Sequence, residues 1–562
     1  MRDDIRAGRD TRTSANLSMT DAPLSTDPAA MPWDRSPSIL DAIRSHLDKE
    51  GQLDPEIALP DDEPPSDSRC RFGPGVLDGI MSHHSSSSDD RQTIDALVGR
   101  VVDYSREPTA ANKLAVYRHI AEEAILSKID PVIAALVGAD DVDHRRLYEL
   151  ALSFATDAAE REPVKFGIAI LGLFPIDNTD LLQTLGRHNE FTLYAAVALS
   201  HREDAERQLW TLARHVDGWG RIHVVERLGE TTDPEIQDWL LREGFRNGIM
   251  DEYLAAICAR AGQLPDALAR ESVDRDLLDS ASQIVQALTR DAGPAESMDD
   301  YEDGAIVCRR LIERLAERPR HEQPLRDFVT VDAVRSYARK LPERLVHDSD
   351  GVHDGDGVPG WDEAERLQIE QACDRFLDPD IWTDRVGAGL LADDDETFEP
   401  AAAAASSLGI DRWPHDFRRL RRNPTNIFAW SIVAHPVTAD RLPELLAIAE
   451  SVFDLDTLAS GPSDSLGLGP GWETDTAFGF VLQELSRFPG EGAALVRTGL
   501  ANAVVRNRHQ ALNAIDRWPE DRWAEVVPWL EVALPREVDD DLRERMRERL
   551  QQGPTPADAV PD

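Results

Sequence analysis

From Thr93 onward, apolar residues recur at helical spacing in segments of about 10 to 14 residues, separated by short breaks rich in Asp, Pro or Gly. No sustained alternation of β-branched residues accompanies them, so the pattern predicts an all-α chain. The segments come in pairs: 163–174 with 179–187, 190–199 with 204–216, and 220–228 with 234–244, followed by 251–261. First members begin 27 to 31 residues apart. The breaks carry capping chemistry. Asp233-Pro234 places a side-chain acceptor before a proline in the first helical turn, where the missing N–H costs nothing. Asn178 and Thr179 offer similar caps.

One break recurs almost verbatim. Leu485-Ser486-Arg487-Phe488-Pro489 and Ile515-Asp516-Arg517-Trp518-Pro519 lie 30 residues apart, Ile410-Asp411-Arg412-Trp413-Pro414 repeats the second string, and Phe174-Pro175 closes an earlier segment. A residue before proline is pushed out of the α region, so a helix is expected to stop at each of these strings. Short hairpins of this period cannot bury their apolar faces alone and require neighbours to stack on. The pattern resembles HEAT-like α-solenoids of the short-repeat type. It implies stacked short helical hairpins over about 95–290 and 365–550.

The expected organisation is therefore a mostly disordered, acidic, Ser- and Pro-rich arm over 1–92, with one short helix at 39–47. An N-terminal helical-repeat region follows over 93–295, then a helical connector over 296–364 that carries the acidic Gly/Asp loop 348–360. A C-terminal repeat region spans 365–552, and a loose tail 553–562. The polyalanine run 401–405 and the Gly-rich stretch 461–471 are expected as interruptions.

Charge narrows the function. The 562 residues carry 61 Lys+Arg against 105 Asp+Glu, a formal charge of −44. Such a chain repels phosphate backbones and anionic membrane surfaces, so neither nucleic acid nor membrane is an expected partner. Only Lys49, Lys113, Lys128, Lys165 and Lys340 are lysines; the remaining cations are arginines. This acidic, Lys-poor composition resembles soluble proteins of salt-loving (halophilic) archaea, whose carboxylates stop repelling one another as salt shortens the Debye length. Four scattered cysteines, no apolar leader and no long apolar run lead to the expectation of a cytoplasmic protein.

Candidate chemistry is sparse. The 348–356 loop fails the calcium-loop spacing of oxygen ligands, and histidines 188, 201, 215 and 223 show no i,i+3 or i,i+4 pairing. With no phosphate loop, nucleophile elbow or dinucleotide fingerprint either, no cofactor and no metal are expected. The cluster Arg418–Arg422 is expected to pair with acidic neighbours. The densest unusual stretch joins Trp219, Arg221, His223, Glu226 and Arg227 to Trp239, Arg242 and Arg246. Trp, Arg and His combine contact area with directional donors, which makes these eight the candidate binding residues.

Phrases in the same block, Pro163-Val164-Lys165-Phe166-Gly167-Ile168-Ala169, Leu185-Gly186-Arg187-His188-Asn189-Glu190 and Gly218-Trp219-Gly220-Arg221-Ile222-His223, resemble uncharacterised bacterial helical proteins, some labelled limonene hydroxylase. The two expectations are thus a non-catalytic scaffold or adaptor for a protein or peptide partner and, alternatively, an enzyme with His223 as general acid/base.

Overall fold

The computed structural model describes residues 31–34, 37–62, 72–84, 91–122, 124–139, 141–290, 293–347 and 358–553. Among them are 29 α-helices and no β-strand; two isolated bridges, Leu47 with Leu53 and Ser465 with Val504, are the only β pairing. The chain is all-α. Residues 1–30, 35–36, 63–71 and 85–90 of the expected arm, 348–357 of the acidic loop and 554–562 of the tail lie outside the described residues.

The chain divides into two compact units. The first comprises Met1–His46, Glu56–Asp61 and Asp89–Phe174, the second Leu47–Pro55, Asp62–Ser88 and Pro175–Asp562. In the first unit the helices His144–Asp157 and Arg161–Leu171 form the centre. Their backbones approach so closely that a Cβ on Gly167 would stand 2.7 Å from the Ala151 carbonyl oxygen. Leu150, Phe154, Val164, Phe166 and Ile168 fill the interior around this contact. Arg161 closes on Asp61 through Nε at 3.0 Å and Nη2 at 3.2 Å, a forked pair that holds the Glu56–Asp61 segment in place.

In the second unit most helices pack on helices one to three further along the chain, an arrangement compatible with a helical repeat. The observed helices follow the sequence periodicity closely: Thr179–Gly186, Asn189–Leu199, Ala205–Ala213, Gly218–Glu226, Pro234–Trp239 and Glu252–Ala261. Asp233 caps as expected, accepting from the Glu235 amide at 2.9 Å. At the Thr179 helix it is Asp177, one residue earlier than Asn178, that accepts the Thr179 amide at 3.0 Å.

Two local expectations are corrected. The polyalanine run does not interrupt the helices. It lies inside Asp395–Ser407 with Ala401, Ala402, Ala404 and Ala405 buried, because small side chains let Gly389 of the neighbouring helix come within contact. The repeated Ile-Asp-Arg-Trp-Pro string also behaves in two ways. At 515–519 it closes Val505–Asp516, whereas at 410–414 it opens Trp413–Arg422 with proline in the first turn. Proline is tolerated there, so the same letters can stop one helix and start another. Both tryptophans are buried.

Tryptophans and arginines do the joining. Trp382 and Trp430 are fully buried, and each indole N–H donates to the carbonyl six residues earlier, Phe376 at 2.8 Å and Pro424 at 2.9 Å, tying the incoming loop to the helix. Arginines reach the exposed carbonyls at helix C-termini. Arg314 donates to Leu268 at 3.0 Å, Arg418 to Leu390 at 2.9 Å, Arg487 to His435 and Val437 at 2.7 and 3.1 Å, and Arg549 to Asp516 at 3.2 Å. The last carbonyls of a helix have no partner within it and carry the negative end of its dipole, so a cation with several donors satisfies both needs.

The most enclosed ion pair is Arg508–Glu537, at 0% and 1% side-chain exposure. Arg508 gives Nε and Nη2 to the two carboxylate oxygens at 2.9 and 2.8 Å, and its other N–H groups to the carbonyls of Asn502, Ala503 and Ser463. Glu537 also accepts the amides of Val538 and Asp539. Every charge is thus matched where solvent is absent. Removing one partner by Arg508→Ala strands the other in the interior and should cost about 3–5 kcal/mol in urea unfolding.

A second buried carboxylate titrates abnormally. Asp327 is 1% exposed, and desolvation pushes its pKa up to about 6, against the pull of Arg318 at 3.1 Å. The folded state therefore holds this proton more tightly than the unfolded chain, so the group's stabilising contribution is present at low pH and is lost as pH rises through 6. Wild type should lose about 1 kcal/mol relative to Asp327→Asn between pH 5 and pH 7, measured by urea titrations of both proteins.

Candidate functional site

Six of the eight candidate residues fall on the helices Gly218–Glu226 and Pro234–Trp239, the latter continuing through a π-helical turn over Leu240–Gly244, while Arg227 caps the first and Arg246 lies just past the turn. The first of these helices presses on Asn189–Leu199, where a Cβ on Gly220 would stand 2.3 Å from Asn189 Oδ1. That approach carries Trp219 into the interior at 5% exposure, its ring 5.3 Å from Tyr253 and 6.3 Å from His223. His223 is itself only 3% exposed, with Nδ1 3.9 Å from Glu226 Oε2 and its carbonyl accepting from Arg227. Burial lowers the pKa of Arg227.

Arg221 turns the other way. Its Nε donates to the Val216 carbonyl at 2.9 Å, and Nη1 reaches the carbonyls of Glu243 and Arg246 at 3.3 Å, with the guanidinium 5.8 Å from the Trp239 ring. This is the same C-terminal capping that arginines perform elsewhere in the unit. Trp239 is half-buried and meets Trp210 edge-on at 6.5 Å. Arg242 closes on Asp238, Asp274 and Asp276 at 2.8 to 2.9 Å. Those bonds raise its own pKa and hold the Asp274 carboxyl down at about 2. Arg246 donates to Gln283 and Ser280, both at 3.1 Å.

The structure thus brings together Trp219 and His223 inside the packing with Glu226 at its edge, and Arg221, Trp239 and Arg246 along a seam, while Arg242 is spent on three aspartates. Their donors join neighbouring helices. Other reactive groups are similarly enclosed: Cys258, Cys308 and Cys373 are buried, and desolvation raises all three thiol pKa values, that of Cys373 to about 12. Cys70 lies outside the described residues. Among the described residues no three His, Cys, Asp or Glu side chains are placed to hold a metal, and no helix is long and apolar enough to cross a membrane.

An open surface lies elsewhere in the second unit. The helix Ile427–Ala434 sends Trp430, Val433 and Ala434 into the core and leaves Phe428 at 72% exposure, with Ile432 one turn further on also exposed. Together with Phe398 and Ala429 these side chains line a groove of about 430 Å³. Its rim carries Asp393, Asp395 and Glu399 against Arg419 and Arg422, while Asp416 is buried beneath and paired with Arg412 at 2.7 Å. Arg419 pairs with Asp395 and Arg422 with Asp393, while Arg418 and Arg419 also cap the helix Pro379–Gly389. The pairing expected for the basic cluster is therefore present. Phe428 was not among the sequence candidates. The signal available was a nearly unbroken apolar octet, more apolar than a helix with one buried stripe requires.

Compared with family models, curated proteins and solved structures, the chain shows no significant match. The resemblance to helical proteins labelled limonene hydroxylase finds no support there.

Because Trp219 fills the interior, Trp219→Ala should behave as a core truncation, costing about 3–5 kcal/mol in urea unfolding. A recognition residue on an open surface would leave the unfolding midpoint unchanged.

Proposed function

We propose that the protein is a non-catalytic, HEAT-like helical scaffold of the cytoplasm that docks a protein partner through the groove at Phe428. One observation carries the reading: the most exposed aromatic side chain among the described residues stands beside a second apolar residue at i,i+4 spacing in a groove with a charged rim. Burying an exposed Phe contributes about 1.5–3 kcal/mol, enough for a hot spot once water is excluded around it. The rim holds one more acid than bases, Glu399, and the chain carries −44 overall, so the complementary segment has an apolar anchor flanked by Arg or Lys. The eight residues around Trp219 support this scaffold by joining its helices. Catalysis by His223 would require a substrate to enter the packing between Trp219 and Glu226.

The test selects peptides from a displayed random library on the immobilised wild-type protein and on Phe428→Glu. Wild type should enrich sequences with an aromatic or branched apolar residue beside basic ones. The variant should lose that enrichment while its melting temperature stays put, since an exposed substitution shifts stability by no more than about 0.5 kcal/mol. Equal enrichment on both proteins would refute the assignment.

A further inference from the structure

The helix Val76–His84 belongs to the second unit and is built inside out. Its buried face carries Asp78 and Gly79, while Leu77, Ile80 and Met81, at i, i+3 and i+4, face water, Leu77 at 55% exposure. The buried face lies on Trp219. A Cβ on Gly79 would stand 2.2 Å from Cδ2 of the indole, so only glycine admits this approach. Just before the helix, Gly75 adopts φ +72°, passes close to the Asn189 carbonyl and donates its N–H to Glu190 Oε1 at 3.1 Å.

These contacts specify position but bury little apolar surface. A nine-residue helix is marginal by itself in water, and here its apolar side contributes no burial. Polar and close contacts of its buried face hold it, together with tethering: a covalently attached segment meets its site at an effective concentration near millimolar, so even a modest set of contacts is occupied. We infer that Val76–His84 is a displaceable strap, an internal ligand covering the surface formed by Trp219 and Glu190. That surface takes a helical segment presenting a glycine to the indole and a free amide to the carboxylate. The inference is independent of the groove at Phe428.

Hydrogen exchange on the full chain tests it. In wild type, amides of 76–84 should exchange at least about 100-fold faster than those of 220–226, as a sub-globally opening element does. In Gly79→Val the strap should exchange as an unstructured peptide while the melting temperature is unchanged. A labelled synthetic peptide of residues 72–84 should then bind Gly79→Val at least about tenfold more tightly than wild type, where the site is filled in cis. Protection of 76–84 equal to that of 220–226 in wild type would overturn the inference without any variant. So would an unchanged strap in Gly79→Val, a melting loss of core size, or a peptide that binds both proteins equally or neither.

Discussion

A chain this acidic is held together by its arginines, which pair with carboxylates and, at several junctions, satisfy the bare carbonyls where helices end. Arg221, Arg314, Arg418, Arg487 and Arg549 each cross from one helix to the terminus of another. Lysine would bring the charge but not the fork, since a guanidinium offers several N–H groups in one plane and can bind two carbonyls or a carbonyl and a carboxylate at once. The scarcity of lysine and the architecture are two views of the same chemistry. Where the fork is fully enclosed, as at Arg508, it gathers three separate stretches of chain around a single side chain.

The same chemistry explains why the stretch around Trp219 reads as a recognition site when only letters are available. Trp, Arg and His in close succession are what an interface uses, and they are also what a tightly joined helix pair uses. Geometry separates the two. Arg221 ends on backbone carbonyls, Arg242 on three aspartates, and Trp219 under Gly79. At Phe428 the opposite holds, because Arg419 and Arg422 pair with Asp395 and Asp393 beside it and leave the ring facing outward.

Helix positions in the 163–261 block were legible to within two or three residues, because periodicity and the Asp-Pro cap report local physics. What escaped was whatever depended on a partner in space. The alanines of 401–405 look like a gap until Gly389 is seen against them. The Ile-Asp-Arg-Trp-Pro string has no fixed meaning until it is known which side of the proline the helix lies on. Phe428 was hidden because a uniformly apolar octet has no periodicity to show which face is left over.

The π turn at Leu240–Gly244 shows how finely such a chain is set. It accommodates one residue more than α winding would, and the carbonyls of Arg242 and Glu243 there receive Ser280 and Arg221. Deleting a single residue from this turn would restore regular winding and swing everything beyond it by about 100°. Phe245, now sealed in the interior, would be carried to the outside, and the acceptors that meet those two donors would close upon themselves.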